Sequence, residues 1–170
     1  RTGVSDYLFD RLGVRYIPKT ELIITVGASE AIDLAFRATL NPGDEVIVPT
    51  LTYIASVNAI KYTGATPIFV DSDNETWQMS VSDIEQKITN KTKAIMCVHL
   101  YGHPCDMEQI VELAKSRNLF VIEDCAEAFG SKYKGKYVGT FGDISTFSFF
   151  GNKTITTGEG GMVVTNDKTL

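Results

Sequence analysis

Seven short runs of apolar, often β-branched residues recur along the chain: Leu22–Val26, Glu45–Val48, Pro67–Val70, Ala94–Val98, Leu119–Ile122, Ile144–Phe149 and Gly161–Thr165. Their length and near-continuous hydrophobicity predict strands covered on both faces. Most are separated by stretches whose apolar residues fall three or four apart, as Ile32, Phe36 and Leu40 do. That spacing predicts helices over Ser29–Leu40, Tyr53–Thr63, Ser82–Ile88 and Met107–Arg117. A further stripe of Val4, Leu8 and Leu12 predicts a helix over Gly3–Val14. Asn41-Pro42-Gly43 and Thr63-Gly64-Ala65 stop two of the helices, and Ser80 or Ser82 supplies a cap for a third.

Strand–helix alternation of this kind predicts an α/β fold, a mostly parallel seven-stranded sheet with helices on both faces. The last two runs are too close for a crossover helix. A turn at Gly158-Glu159-Gly160-Gly161 therefore makes the last strand antiparallel. No internal repeat or low-complexity linker divides residues 1–170, which read as one domain. The chain opens without methionine and stops just past a strand, so it is expected to be a piece of a longer protein.

Composition narrows the function classes. Net charge is −5 and no Lys/Arg block stands out, so a nucleic-acid groove is not expected. No apolar run approaches membrane-spanning length, and no signal peptide opens the chain. The three cysteines, Cys97, Cys105 and Cys125, are odd in number, and two sit in strand-like surroundings. Reduced thiols and a cytoplasmic location are the expectation.

In open α/β sheets, ligands bind beyond the carboxyl ends of the strands. Ala28 and Ser29 follow the first strand, Asp124 the fifth and Lys153 the sixth. A lysine and an aspartate so placed suggest a pyridoxal 5′-phosphate (PLP) site. The lysine would hold the cofactor aldehyde as a Schiff base, and the aspartate would pair with the pyridinium nitrogen. Gly27-Ala28-Ser29 opens a helix whose free N–H groups and dipole suit a phosphate, although a serine N-cap alone would look the same. Tyr53 could stack on a flat ring or be an ordinary core tyrosine. Ser148 could add a phosphate hydroxyl, or face another layer in its alternation with Phe147 and Phe149. Asp124 could equally cap a helix, Lys153 lie on the surface, and Glu123 be structural or solvated. His99 and His103 are four apart, but Gly102 and Pro104 break any helix between them, so zinc is not expected. Gly158–Gly161 lacks the Lys-Ser/Thr ending of a P-loop and precedes a strand, so a hairpin turn is the better reading.

Several ordered motifs together resemble the DegT/StrS-type sugar aminotransferases, which are fold-type-I PLP enzymes. They are Gly27-Ala28-Ser29, Pro49–Tyr53, Val98–Gly102, Ile122–Glu127, Val138–Asp143 and Ser148–Val164. The resemblance covers roughly residue 20 onward. It implies that Lys153 is the Schiff-base lysine, Asp124 the pyridinium partner and Tyr53 the stacking ring. It also implies that Ala28, Ser29 and Ser148 hold the phosphate. Many relatives have Gln where this chain has Glu127. Perosamine-type members carry Glu, so Glu127 is carried over as a cofactor contact, against the alternative of a solvated turn carboxylate. Residues 1 to about 48 look closer to class I/II amino-acid aminotransferases, leaving a composite or a divergent origin open.

The resemblance implies transfer of an amino group from an amino-acid donor, glutamate, to a nucleotide-sugar acceptor carrying a 4-keto-6-deoxy group. Family members run about twice as long, add a smaller C-terminal domain, and place their active sites at a homodimer interface. The PLP-dependent sugar dehydratases of the family replace the lysine with histidine, which Lys153 argues against. A truncated, non-catalytic PLP-binding domain and a class I/II amino-acid aminotransferase remain the alternatives.

Overall fold

The computed structural model describes residues 1–167 and 169–170. In chain order they form α1 (Thr2–Leu12), β1 (Leu22–Thr25), α2 (Ala28–Thr39), β2 (Glu45–Pro49), α3 (Ile54–Tyr62), β3 (Thr66–Val70), α4 (Val81–Lys87) and β4 (Thr92–Val98). After a short 3₁₀ turn at Leu100–Gly102 come α5 (Met107–Arg117), β5 (Phe120–Asp124), β6 (Lys132–Tyr133), β7 (Lys136–Tyr137), β8 (Ile144–Ser148) and β9 (Gly161–Thr165). All seven apolar runs join one sheet, in the order β1-β9-β8-β5-β4-β2-β3. The β9 strand runs antiparallel to both neighbours, and the other pairings are parallel.

Alternation along each strand divides the core between the two faces. Val46, Val48, Ala94, Met96, Val98 and Ile122 pack under α2 and α3. Ile47, Ile95, Cys97 and Val121 pack under α4 and α5 on the opposite face. The Leu8 side of α1 closes over Leu22, Phe147, Met162 and Val164. Of the two serines available to cap α4, Ser80 does so, accepting the Asp83 N–H at 3.4 Å. Asp106 caps α5 in the same way, through Gln109 N–H. Among the described residues no helix is long and apolar enough to cross a membrane.

The reversal between β8 and β9 is wider than a tight turn. The Phe149 N–H donates to Gly160 O at 2.9 Å, and the Thr157 N–H donates back to Phe149 O at 3.0 Å. The chain between them forms a broad loop that carries Lys153, and Gly158 is one residue of it rather than its tip.

Gly161 decides how the start of α2 meets this loop. It pairs with Ser148 on one side and with Thr25 on the other. A methyl group at Gly161 would lie 2.5 Å from the carbonyl carbon and oxygen of Gly27 and 2.6 Å from Thr25 Oγ1. The missing side chain lets the Val26–Gly27 backbone pass directly over β9, bringing the N-terminus of α2 beside Ser148. Gly161→Ala should therefore destabilise the chain by about 1–3 kcal/mol through overpacking, read as a lower urea midpoint at unchanged m-value.

Candidate active site

A cavity of about 530 Å³ opens at the carboxyl ends of β1, β4, β5 and β8. Ala28, Ser29, Tyr53, Asp124, Glu127, Ser148 and Lys153 all line it. Ser56, which drew no notice in the sequence, lines it as well, as does Leu100 of the Val98–Gly102 motif.

Ala28 and Ser29 are the first residues of α2, whose N-cap, Gly27, provides no side-chain cap. The first N–H groups of a helix have no partner within it, and these face the cavity rim. Glu30, the acidic residue of that turn, folds back to accept Val26 N–H at 2.8 Å. Ser148 ends β8, and its Oγ accepts Phe150 N–H at 3.4 Å, leaving its own proton to donate. Tyr53 is the N-cap of α3 and is 73% exposed, so it is not a core tyrosine.

Asp124 is the last residue of β5 and is buried. Its Oδ2 accepts from Ser56 Oγ at 3.0 Å, and its Oδ1 accepts the Ala126 N–H at 3.0 Å. Burial pushes its pKa up, and these two hydrogen bonds only partly offset the effect. Lys153 lies in the β8–β9 loop with its side chain 22% exposed, so it is not a free surface lysine. Its Nζ is 3.8 Å from Glu127 Oε1. The other Glu127 oxygen accepts the N–H of Tyr101 at 2.8 Å. Tyr101 holds a left-handed backbone (φ 53°), an uncommon conformation for a bulky residue, next to that bond.

Glu123 is fully buried, not solvated. One of its oxygens accepts the N–H groups of Phe141 at 2.8 Å and Gly142 at 2.6 Å, with Ser145 Oγ at 3.3 Å. The other accepts Gly139 N–H at 2.7 Å and faces His99 Nε2 at 3.1 Å. Because His99 Nδ1 accepts Cys105 N–H at 3.1 Å, the ring proton sits on Nε2 and is donated to Glu123. Burial opposes the charged carboxylate, but the hydrogen bonds from His99, Gly142 and Gly139 outweigh it and hold the Glu123 pKa below its usual range. His99, Glu123 and Cys125 do bring ligand-type atoms within 4.8 Å of one another. With the His99 and Glu123 acceptors already engaged by N–H groups, the trio is a hydrogen-bonded core cluster. All three cysteines are buried and free.

The model of the DegT/DnrJ/EryC1/StrS aminotransferase family matches residues 2–170. This chain belongs to that family. The match takes in residues 2–48, so the family extends through the segment that looks closer to class I/II enzymes. The chain is 94% identical over 141 residues to a GDP-perosamine synthase of Escherichia coli O157:H7, covering 82% of this chain and 39% of that protein. Among solved structures, it resembles an aminotransferase from Psychrobacter cryohalolentis with a TM-score of 0.91 and 42% identity, covering 99% of this chain and 42% of that one. It also resembles an E. coli GDP-4-keto-6-deoxy-D-mannose-3-dehydratase with bound hydrated PLP. There the TM-score is 0.87 and the identity 29%, covering 98% of this chain and 43% of that one. The chain thus spans about two fifths of the length of these family members.

Glu123 and Asp124 should leave opposite marks on stability. The Glu123 pKa is depressed by folding, so its contribution is complete above the unfolded value of about 4.3 and is lost as pH falls through the folded value. Asp124 is raised, so its cost grows as pH rises from about 3.9 through the folded value. In urea titrations without cofactor, Asp124→Asn should be more stable than the parent at pH 7, with the gap closing toward pH 4. Glu123→Gln should lose about 3 kcal/mol or more at pH 7, because it sets an NH₂ group against backbone donors.

Proposed function

We propose that the cavity binds pyridoxal 5′-phosphate. We also propose that the full-length protein transfers an amino group from an amino-acid donor, glutamate, to a 4-keto-6-deoxy nucleotide sugar. The observation that carries this reading is the convergence of Lys153 and Asp124 on one cavity whose rim is an uncapped helix N-terminus. The chemistry of the donors fits the cofactor. A buried carboxylate facing a cavity suits a cationic ring N–H, which would favour its charged form against the cost of burial. Free N–H groups at the start of α2, with the Ser29 and Ser148 hydroxyls, suit a phosphate dianion.

Bound there, the cofactor supplies an electron sink that lets a donor's α-carbon lose its proton. Lys153 would anchor the cofactor aldehyde, and its Nζ, once free, would serve as the proton-accepting and proton-donating group beside the reacting carbons. Asp124 would keep the ring nitrogen protonated by charge pairing. Tyr53, exposed at the cavity mouth, offers its ring as a stacking face. Glu127, held by the Tyr101 N–H, lies at the lysine end of the cavity and would contact the cofactor from there. A lysine at position 153 favours amino transfer over the dehydratase chemistry of the histidine-bearing relatives.

The reading includes a homodimer in the full-length form. The exposure of Val26 at 78% and Phe150 at 53% beside the cavity supports a second copy closing over it. It also includes a cytoplasmic location, in keeping with three unpaired thiols.

The test is a PLP titration followed by borohydride reduction and peptide mapping, alongside glutamate-dependent amination of the keto sugar by the full-length enzyme. Label is expected on Lys153, and Lys153→Ala should lose the label, the visible absorbance and the turnover. Turnover retained in that variant would refute the assignment. Labelling of the parent without any amination would mark the protein as a PLP-binding unit only.

A further inference from the structure

Ser56 sits on α3, is 1% exposed, and reaches Asp124 Oδ2 at 3.0 Å. The two Asp124 oxygens have partners of different kinds. A backbone N–H can only donate, so Oδ1, bonded to the Ala126 N–H, is an acceptor in either charge state. A hydroxyl rotates, and can donate to a carboxylate or accept from a carboxyl O–H. Oδ2 is therefore the oxygen that can take up a proton without losing its hydrogen bond.

We propose that Ser56 is a positioning residue that lets Asp124 change charge inside the cavity. Its hydroxyl accepts from the carboxyl O–H whenever Asp124 is protonated. It turns to donate to the carboxylate when a protonated ring nitrogen arrives. The second half of this inference rests on the PLP reading, and the first half concerns the chain alone.

The charged groups around Asp124 are few. Lys153 faces it from the β8–β9 loop, and Glu127 and Glu159 line the same cavity. His99, at the end of β4, gives its backbone N–H to Asp124 O at 3.1 Å while its ring is turned to Glu123. The Cys125 thiol follows in sequence, pushed by burial up to about 12, and stays neutral. From α2, Glu30 is committed to Val26 N–H. Of the cavity-lining residues, α3 contributes Ala55 and Ser56, neither of them charged.

A hydrogen bond to a charged group is stronger than one to its neutral form. Removing the hydroxyl should therefore raise the proton affinity of Asp124, by roughly tenfold at the usual strength of such bonds.

The test is an NMR titration of the cofactor-free chain labelled with ¹³C at the aspartate carboxyls, with the Asp124 signal assigned by its loss in Asp124→Asn. In Ser56→Ala the midpoint should move upward, by about a tenfold change in proton affinity, and Ser56→Thr should restore it. A midpoint in Ser56→Ala that coincides with the parent would overturn the proposal. Should Ser56→Ala fail to fold, Ser56→Cys, of similar size and a weaker donor, is read the same way. PLP affinity, followed by absorbance, should fall by about tenfold in Ser56→Ala and recover in Ser56→Thr. An upward midpoint with no Lys153 label in the parent would sink the cofactor reading and leave the Ser56 role to Asp124 standing. A labelled parent with unchanged midpoint and affinity in Ser56→Ala would sink the Ser56 role alone.

Discussion

Successive side chains of a strand point to opposite faces, and β5 ends on two carboxylates in a row. Glu123 and Asp124 therefore serve different layers of the molecule, although they are neighbours in the chain. Glu123 turns to the α5 side and collects donors from a loop almost twenty residues further on. That loop feeds β8, so Glu123 fixes where β8 starts beside β5. Register then does the rest, carrying Ser148 to the strand end and the lysine loop over Asp124.

The two carboxylates also differ in how fully they are satisfied. Glu123 is surrounded by N–H and O–H groups, and a buried charge so provided for holds structure together. Asp124 has one donor for each oxygen and a cavity in front of it. Left in that state it costs the fold some stability, which a positively charged ligand group would return on binding. Stabilisation and ligand readiness are thus separated by a single peptide bond.

Much of this was legible in the residues. The strands followed from apolar runs, and the helices from spacing, because both periods were clean in this chain. Lys153 and Asp124 stood out because strand ends are where such folds keep their chemistry, and Ala28, Ser29, Tyr53, Glu127 and Ser148 line the same cavity. Glu123 was harder to read, since its partners are mainly backbone N–H groups of Gly139, Phe141 and Gly142, which have no side-chain signature. His99 was weighed with His103 for want of any sign that the strand pleat would pair it with Glu123. Ser56 looked like one small residue in a helix. Only the packing of α3 over the end of β5 gives it a partner 68 positions away. The turn before β9 was placed too narrowly, because glycines mark a reversal without fixing how many residues it takes.

The sheet order has a consequence for how the protein comes into being. The β1 strand does not pair with the strand that follows it, but with β9, through contacts such as Leu22 with Val164. The two halves of the anion seat, Ala28–Ser29 and Ser148, are joined across that late-made strand. A nascent chain leaving the ribosome can assemble its β2–β3–β4 portion early, with α2 packed on α3, yet it must hold β1 in waiting for roughly 140 residues before its pairing strand is made. During that interval Leu22 and the unpaired backbone edge of β1 are open to wrong partners. This is the stage of biosynthesis at which a chaperone would matter most.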